Sequence, residues 1–117
     1  IEHQVFITAD EFAIETIVIN LLTNAEKYSD NNITILLKSD NKQVILSVSD
    51  LGIGISDDDK QRLFDKFYRV GEEQTRKTKG TGLGLFIVKK LVHIHHATIE
   101  VKNNHPNGTN FEVSFHV

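Results

Sequence analysis

Between residues 11 and 28 the apolar side chains recur with the period of an α-helix, and the polar ones beside them constrain the fold just as strongly. At about 100° per residue, with Asn20 set at zero, Ile17, Leu21, Ile14, Ala25, Val18 and Leu22 fill an arc from about 60° to about 200°. Asn24 and Lys27 fall within about 40° of Asn20 on the same wheel. Two amides and an ammonium therefore run along the margin of a face that has to be buried. Such a helix needs a second layer to cover its apolar arc, and its polar row suits a pocket wall better than a freely solvated surface.

The second layer is expected to be a sheet. Ile1 to Ile7 is a short β-prone run, and Thr8 or Asp10 is placed to cap the helix; Thr8 with Glu11 also has capping-box spacing. Residues 33–38 and 43–49 read as strands of an antiparallel hairpin. In the second of them Val44, Leu46 and Val48 share one face, and Asp50 has the same parity, so its carboxylate is expected on the side the helices cover. Ser56 to Lys60 starts a short helix that runs toward Phe64 and Phe67, and the charged, aperiodic residues 68–79 are expected to form a loop. Leu83 to about His95 is helical, with Leu85, Val88 and Val92 on one side. Two closing strands, 98–101 and 109–117, flank a turn around Pro106-Asn107-Gly108, and Phe111, Val113, Phe115 and Val117 alternate cleanly. The order strand, helix, hairpin, helix, hairpin implies a two-layer α/β sandwich, a mixed and mostly antiparallel sheet with helices on one face. Thr34, Lys38, Glu100, Glu112 and Ser114 would lie on the other face.

A chain of 117 residues suits one domain, 1–117. Its net charge of −3 provides no broad basic surface, so nucleic acid is not an expected partner. The absence of cysteine excludes disulfides and thiolate metal sites. No apolar run approaches the roughly 18 residues that span a bilayer, and no signal peptide opens the chain. It starts at Ile1 and enters an apparent strand almost at once, which reads as a domain cut from a longer protein.

Three segments offer chemistry. Asn20 and Asn24, one helical turn apart, can meet the same ligand. An amide oxygen is a hard neutral donor that suits Mg²⁺, Lys27 can neutralise phosphate, and Tyr28 can stack on a base. In Asp50-Leu-Gly52-Ile-Gly54, the carboxylate can accept the exocyclic amino group of adenine, while the glycines let the backbone approach the ring. Guanine carries a carbonyl there, so Asp50 favours ATP over GTP. Gly80-Thr81-Gly82-Leu83-Gly84 opens a helix, where exposed amides and the helix dipole attract anions. It is neither a dinucleotide fingerprint, which follows a hydrophobic strand, nor a P-loop, which ends in Gly-Lys-Ser/Thr. Each segment alone has an ordinary structural explanation; their ordered set carries the argument. His93, His95 and His96 lack an acid at helical spacing to complete a metal site, and their place at a helix C-terminus gives them a structural reason.

In order, Asn20-Leu-Leu-Thr-Asn24-Ala-Glu-Lys27-Tyr28, the Asp50 segment and the Gly80 segment resemble the N box and two glycine boxes of the ATP-binding catalytic domain of sensor histidine kinases, within the gyrase, heat-shock chaperone and mismatch-repair ATPase superfamily. Leu63-Phe-Asp-Lys-Phe67-Tyr-Arg69 resembles the phenylalanine box. The resemblance covers nearly the whole chain. It implies the Bergerat fold, ATP and Mg²⁺ as ligands, Asn24 as the metal ligand, and Asn20 and Arg69 as catalytic residues. It also implies ATP contacts from Lys27, Tyr28, Asp50, Gly52, Gly54, Ile55, Phe67, Lys79, Gly80, Thr81, Gly82, Leu83 and Gly84. Arg69, with Lys77 and Lys79, would form a phosphate-sensing lid. The implied partners are a helical phosphoacceptor domain of the same protein, homodimeric in the parent, and then a response regulator. The implied location is cytoplasmic, without direct membrane contact by this domain.

Three departures stand out. His95-His96-Ala97 replaces the usual His-Gly-Gly, Leu51 replaces the common Asn, and no histidine here has the phosphoacceptor context. ATP-hydrolysing relatives carry a Glu where this chain has Asn20, while Glu15 and Glu26 lie on another side of the wheel. An anti-sigma-type serine kinase would share the pocket. A degenerate binding module would be expected to have lost Asp50, Asn24 or the glycines.

Overall fold

Asp10 starts the first helix, α1 (Glu11–Tyr28): its carboxylate accepts from the Ala13 amide at 3.2 Å and its carbonyl from the Ile14 amide at 3.0 Å. The computed structural model describes residues 9–28, 32–40, 42–65 and 84–116. The expected strand at Ile1 to Ile7, Thr8 and the loop at 68–79 lie outside them. So do Phe67, Arg69, Lys79, Gly80, Thr81, Gly82, Leu83 and the side chain of Tyr28.

The apolar arc of α1 is buried as its periodicity requires, with Ile17 and Leu21 at its centre and Ile14 and Leu22 packed against the core. The polar row follows expectation at Asn20 and Lys27 and departs from it at Asn24. Asn24 is only 8 % exposed and Ala13, near it on the wheel, is buried too, so the covered face takes in Asn24, while Asn20 and Lys27 stay half-buried at its margin. The reason is the third helix, α3 (Gly84–Ile94), which packs along α1 while the sheet covers it from below.

Four described strands, β1 (Ile33–Ser39), β2 (Gln43–Asp50), β3 (Thr98–Asn103) and β4 (Thr109–His116), form a sheet of order β1-β2-β4-β3, antiparallel throughout. Val48 faces Ile35 on one side and Phe111 on the other, and Phe111 faces Val101. These residues, with Val113, Phe115 and Ile99, meet Val88 and Val92 of α3 to make the core. Burial of aliphatic and aromatic side chains here supplies the main driving force, about 1.5–3 kcal/mol for each fully covered one. Phe64 packs against this core as well, its ring lying 5.6 Å from the Lys89 ammonium.

The opposite sheet face is mostly polar, with Leu36 and Ile45 as apolar members. Thr34, Lys38 and Glu100 are exposed there, with Glu112 and Ser114 half-buried. Lys102 donates to Glu112 at 2.9 Å and lies 3.5 Å from Glu100. The hydrogen bond from Lys102 holds the Glu112 carboxyl below its ordinary range, and the same bond raises the Lys102 ammonium.

Local chemistry fixes the connections. Asp40 Oδ1 accepts from the Lys42 and Gln43 amides and turns the β1–β2 hairpin. Ser56 caps the short α2 (Asp57–Arg62), accepting from the Asp59 amide at 3.1 Å. At the end of α3 the Ala97 amide donates to the Val92 carbonyl and the His96 amide to that of His93, a Schellman motif with His96 at φ 56°. Among the described residues no helix is long and apolar enough to cross a membrane.

Candidate nucleotide site

Asn20 is held rigidly. Its Nδ2 donates to the Thr16 carbonyl at 2.8 Å, which turns Oδ1 toward the start of α3. A Cβ built on Gly84 would lie 2.8 Å from that oxygen, so the amide row and the last glycine of the loop segment meet directly. One turn further on, the Asn24 amide makes no hydrogen bond among the described residues despite its burial. Lys27, the next member of the row, is half-buried.

Asp50 ends β2 with its side chain on the helix-covered face, 3 % exposed, as its parity predicts. Oδ1 accepts from the Gly52 amide at 2.8 Å, and Oδ2 takes no hydrogen bond among the described residues. The carboxylate is thus oriented by its own loop, with one oxygen to spare. Gly54 adopts φ 79°, a region in which a side chain would be strained, and Ile55 returns to pack against the core. α1 packs on β2, the strand that ends in Asp50.

A second segment, not singled out in the sequence as part of the site, braces this loop. Asn104 Nδ2 donates to the Asp50 carbonyl at 2.8 Å. Asn107 Nδ2 donates to the carbonyls of Leu51 at 2.8 Å and Gly52 at 2.7 Å. Gly108 has φ 108°, and a Cβ there would come within 2.0 Å of the Asp50 carbonyl oxygen. Thr109, the first residue of β4, is buried at the same end of the sheet. The β2–β4 pairing, which ends at Ser49 opposite Asn110, brings this turn to Asp50.

The histidines serve the helix ends. His95 Nε2 accepts from the Asp10 amide at 3.1 Å, so Nδ1 carries the proton and donates to the Leu91 carbonyl at 2.8 Å. This bond ties the N-terminus of α1 to the end of α3.

The family model described as "Histidine kinase-, DNA gyrase B-, and HSP90-like ATPase" matches residues 9–117. The chain belongs to this ATPase family. Its sequence is 42% identical over 113 residues to sensor protein CiaH of Streptococcus pneumoniae, covering 95% of this chain and 25% of that protein. The chain therefore spans about a quarter of the length of that curated relative. Its fold matches the mycobacterial sensor histidine kinase MprB with a TM-score of 0.82 at 28% identity, over 94% of this chain and 76% of the other. Full-length ShkA in complex with AMPPNP matches at a TM-score of 0.75 and 28% identity, over 92% of this chain and 22% of that one. Among the described residues the buried polar side chains are Asn24, Asp50, Ser47 and Thr109, and the first two fall in the segments that resemble this family's motifs.

Proposed function

We propose that this domain binds Mg·ATP and presents the γ-phosphoryl group to a histidine on a separate helical phosphoacceptor domain, as the catalytic part of a two-component sensor kinase. The observation that carries this reading is the contact of Asn20 with Gly84, because it joins the amide row to the helix start where phosphates are attracted. The neighbour solved with AMPPNP supports nucleotide binding by this fold.

Asp50 Oδ2 accepts the adenine amino group while Gly52 holds Oδ1 in place. Ile55 and Phe67 line the base, Tyr28 stacks on it, and Lys27 faces phosphate. Asn24, buried and unpaired among the described residues, is the residue that would hold Mg²⁺; the ion supplies charge neutralisation at the phosphate oxygens when bound. Backbone amides of Gly80, Thr81, Gly82, Leu83 and Gly84 cradle the phosphate chain. Arg69 and Lys79 approach the γ-phosphate, where a cation offsets charge as the group departs. Phosphoryl transfer asks mainly for such positioning and neutralisation, and the attacking imidazole comes from the partner domain.

Hydrolysis is disfavoured by the amide at position 20, which has no useful basicity, and the exposed Glu15 and Glu26 point elsewhere. In the parent, a cytoplasmic homodimer arrangement would pass the phosphoryl group on to a response regulator. The test is calorimetry of nucleotide binding. ATP and ADP with Mg²⁺ should bind more tightly than GTP, and Asp50→Asn should weaken adenine binding by about 1–3 kcal/mol. Equal affinity for ATP and GTP would overturn the assignment.

A further inference from the structure

The loop that carries Asp50 is not held by apolar packing on its outer flank. Between residues 53–56 and the β3–β4 turn lies an open cleft of about 450 Å³, and Ile53 at its lip is 80% exposed. What joins the two segments is a set of hydrogen bonds. The single Asn107 amide group donates to two successive carbonyls, those of Leu51 and Gly52. Gly52 in turn uses its own N–H to hold Asp50 Oδ1 at 2.8 Å. Asn104 holds the Asp50 carbonyl, and the Gly108 carbonyl accepts from the Asn104 amide at 3.0 Å, so the turn is braced internally. Lys60 of α2 reaches across to Asn103 Oδ1, tying a third element to the same turn.

We infer that Asn107, with Asn104, is a positioning residue for base selection: it fixes the Asp50–Gly52 loop so that one carboxylate oxygen stays committed to Gly52 and the other stays aimed at the base. The inference rests on the proposed adenine contact of Asp50. Its physical basis is that orientation, not charge, separates adenine from guanine here. A carboxylate free to rotate can accept from the ring N–H and exocyclic amine that guanine offers elsewhere on its edge. One locked in a single plane meets only the amino group at the adenine position. Two bonds from one planar amide resist rotation of the Leu51–Gly52 peptide far better than one bond would.

The test compares Asn107→Ala, Asn107→Asp and Asn104→Ala in the 117-residue chain. In Asn107→Ala the ratio of ATP to GTP affinity should fall roughly fivefold to tenfold, through weaker ATP and stronger or unchanged GTP binding. Asn107→Asp keeps the shape but replaces the donor with an acceptor facing two carbonyls, so it should lose at least as much selectivity; a space-filling role would tolerate it. Asn104→Ala should shift the ratio in the same direction by less. A second readout needs no nucleotide. Hydrogen exchange at the Gly52 amide should accelerate in both Asn107 variants while the Val48 and Phe111 amides stay protected. Equal weakening of ATP and GTP together with a general loss of protection would reduce Asn107 to a stability role and overturn the inference. If the unaltered chain failed to prefer ATP, the adenine reading of Asp50 would fall; unchanged Gly52 exchange in the variants would overturn the clamp itself.

Discussion

Gly84 and Asn20 leave no room between them for a methyl group. A Cβ on Gly84 would sit 2.8 Å from Asn20 Oδ1, and Asn20 cannot swing aside without losing the bond from its Nδ2 to the Thr16 carbonyl. The close approach of α1 and α3 at this end thus depends on a glycine for space and not for an unusual φ. It places a fixed amide oxygen at the start of α3.

Gly84→Ala should therefore act on the site more than on the fold. Alanine favours a helix by about 1 kcal/mol over glycine, which offsets part of the steric cost. Displacing the Asn20 amide should weaken ATP binding by about 1–2 kcal/mol while thermal unfolding moves little. Calorimetry and a melting curve on the same sample decide the matter; a large drop in Tm with unchanged affinity would make the contact a packing feature only.

Asn24→Ala should separate metal from base. No hydrogen bond of the Asn24 side chain is seen among the described residues, so its removal should change stability little. Binding of ADP without Mg²⁺ should remain largely intact, and the gain on adding Mg²⁺ should disappear. Titrations with and without the ion check this. Equal loss in both would assign Asn24 a structural task.

His96→Gly should stabilise the chain. His96 holds φ 56° as the C′ residue of the Schellman motif, a conformation that costs a side chain about 1–2 kcal/mol. Glycine recovers that cost but loses about 0.4–1 kcal/mol through the freer unfolded chain, leaving a net gain of about 0.5–1 kcal/mol. The melting temperature should rise by a few degrees, with nucleotide affinity unchanged because the turn lies at the far end of α3 from Gly84.

The sequence reads clearly wherever an element's own periodicity decides the outcome. The alternation in β4, the parity of Asp50 and the apolar arc of α1 all reappear as burial. The wheel of one helix sets Asn24 at a margin because it carries no information about a second helix beside it. The brace on Asp50 was invisible for a related reason. Asn104 and Asn107 act on carbonyls 54 to 56 residues earlier in the chain, through contacts that only the strand order β1-β2-β4-β3 creates. Read locally, the pair is an ordinary hairpin end.

Kinase and hydrolase readings part at Asn20. The isolated 117-residue chain should bind ATP yet release phosphate only slowly, since an amide whose nitrogen is tied to Thr16 cannot take a proton from water. Nor should it label itself, because no histidine in it has the phosphoacceptor context. Adding the parent's helical phosphoacceptor domain should yield an acid-labile phosphohistidine on that domain. Arg69→Ala should then slow transfer more than it weakens ATP binding, because its charge counts most as the γ-phosphoryl group departs. Radiolabel from γ-labelled ATP, followed with and without the partner, distinguishes the outcomes. Rapid phosphate release by the lone chain would favour a hydrolase, and an alkali-labile phosphoserine on a partner would favour a serine kinase. Asn20→Glu makes the comparison sharper: placing a carboxylate at the position where hydrolysing relatives carry one should raise phosphate release while lowering transfer to histidine, if the identity of this one side chain governs which nucleophile the pocket serves.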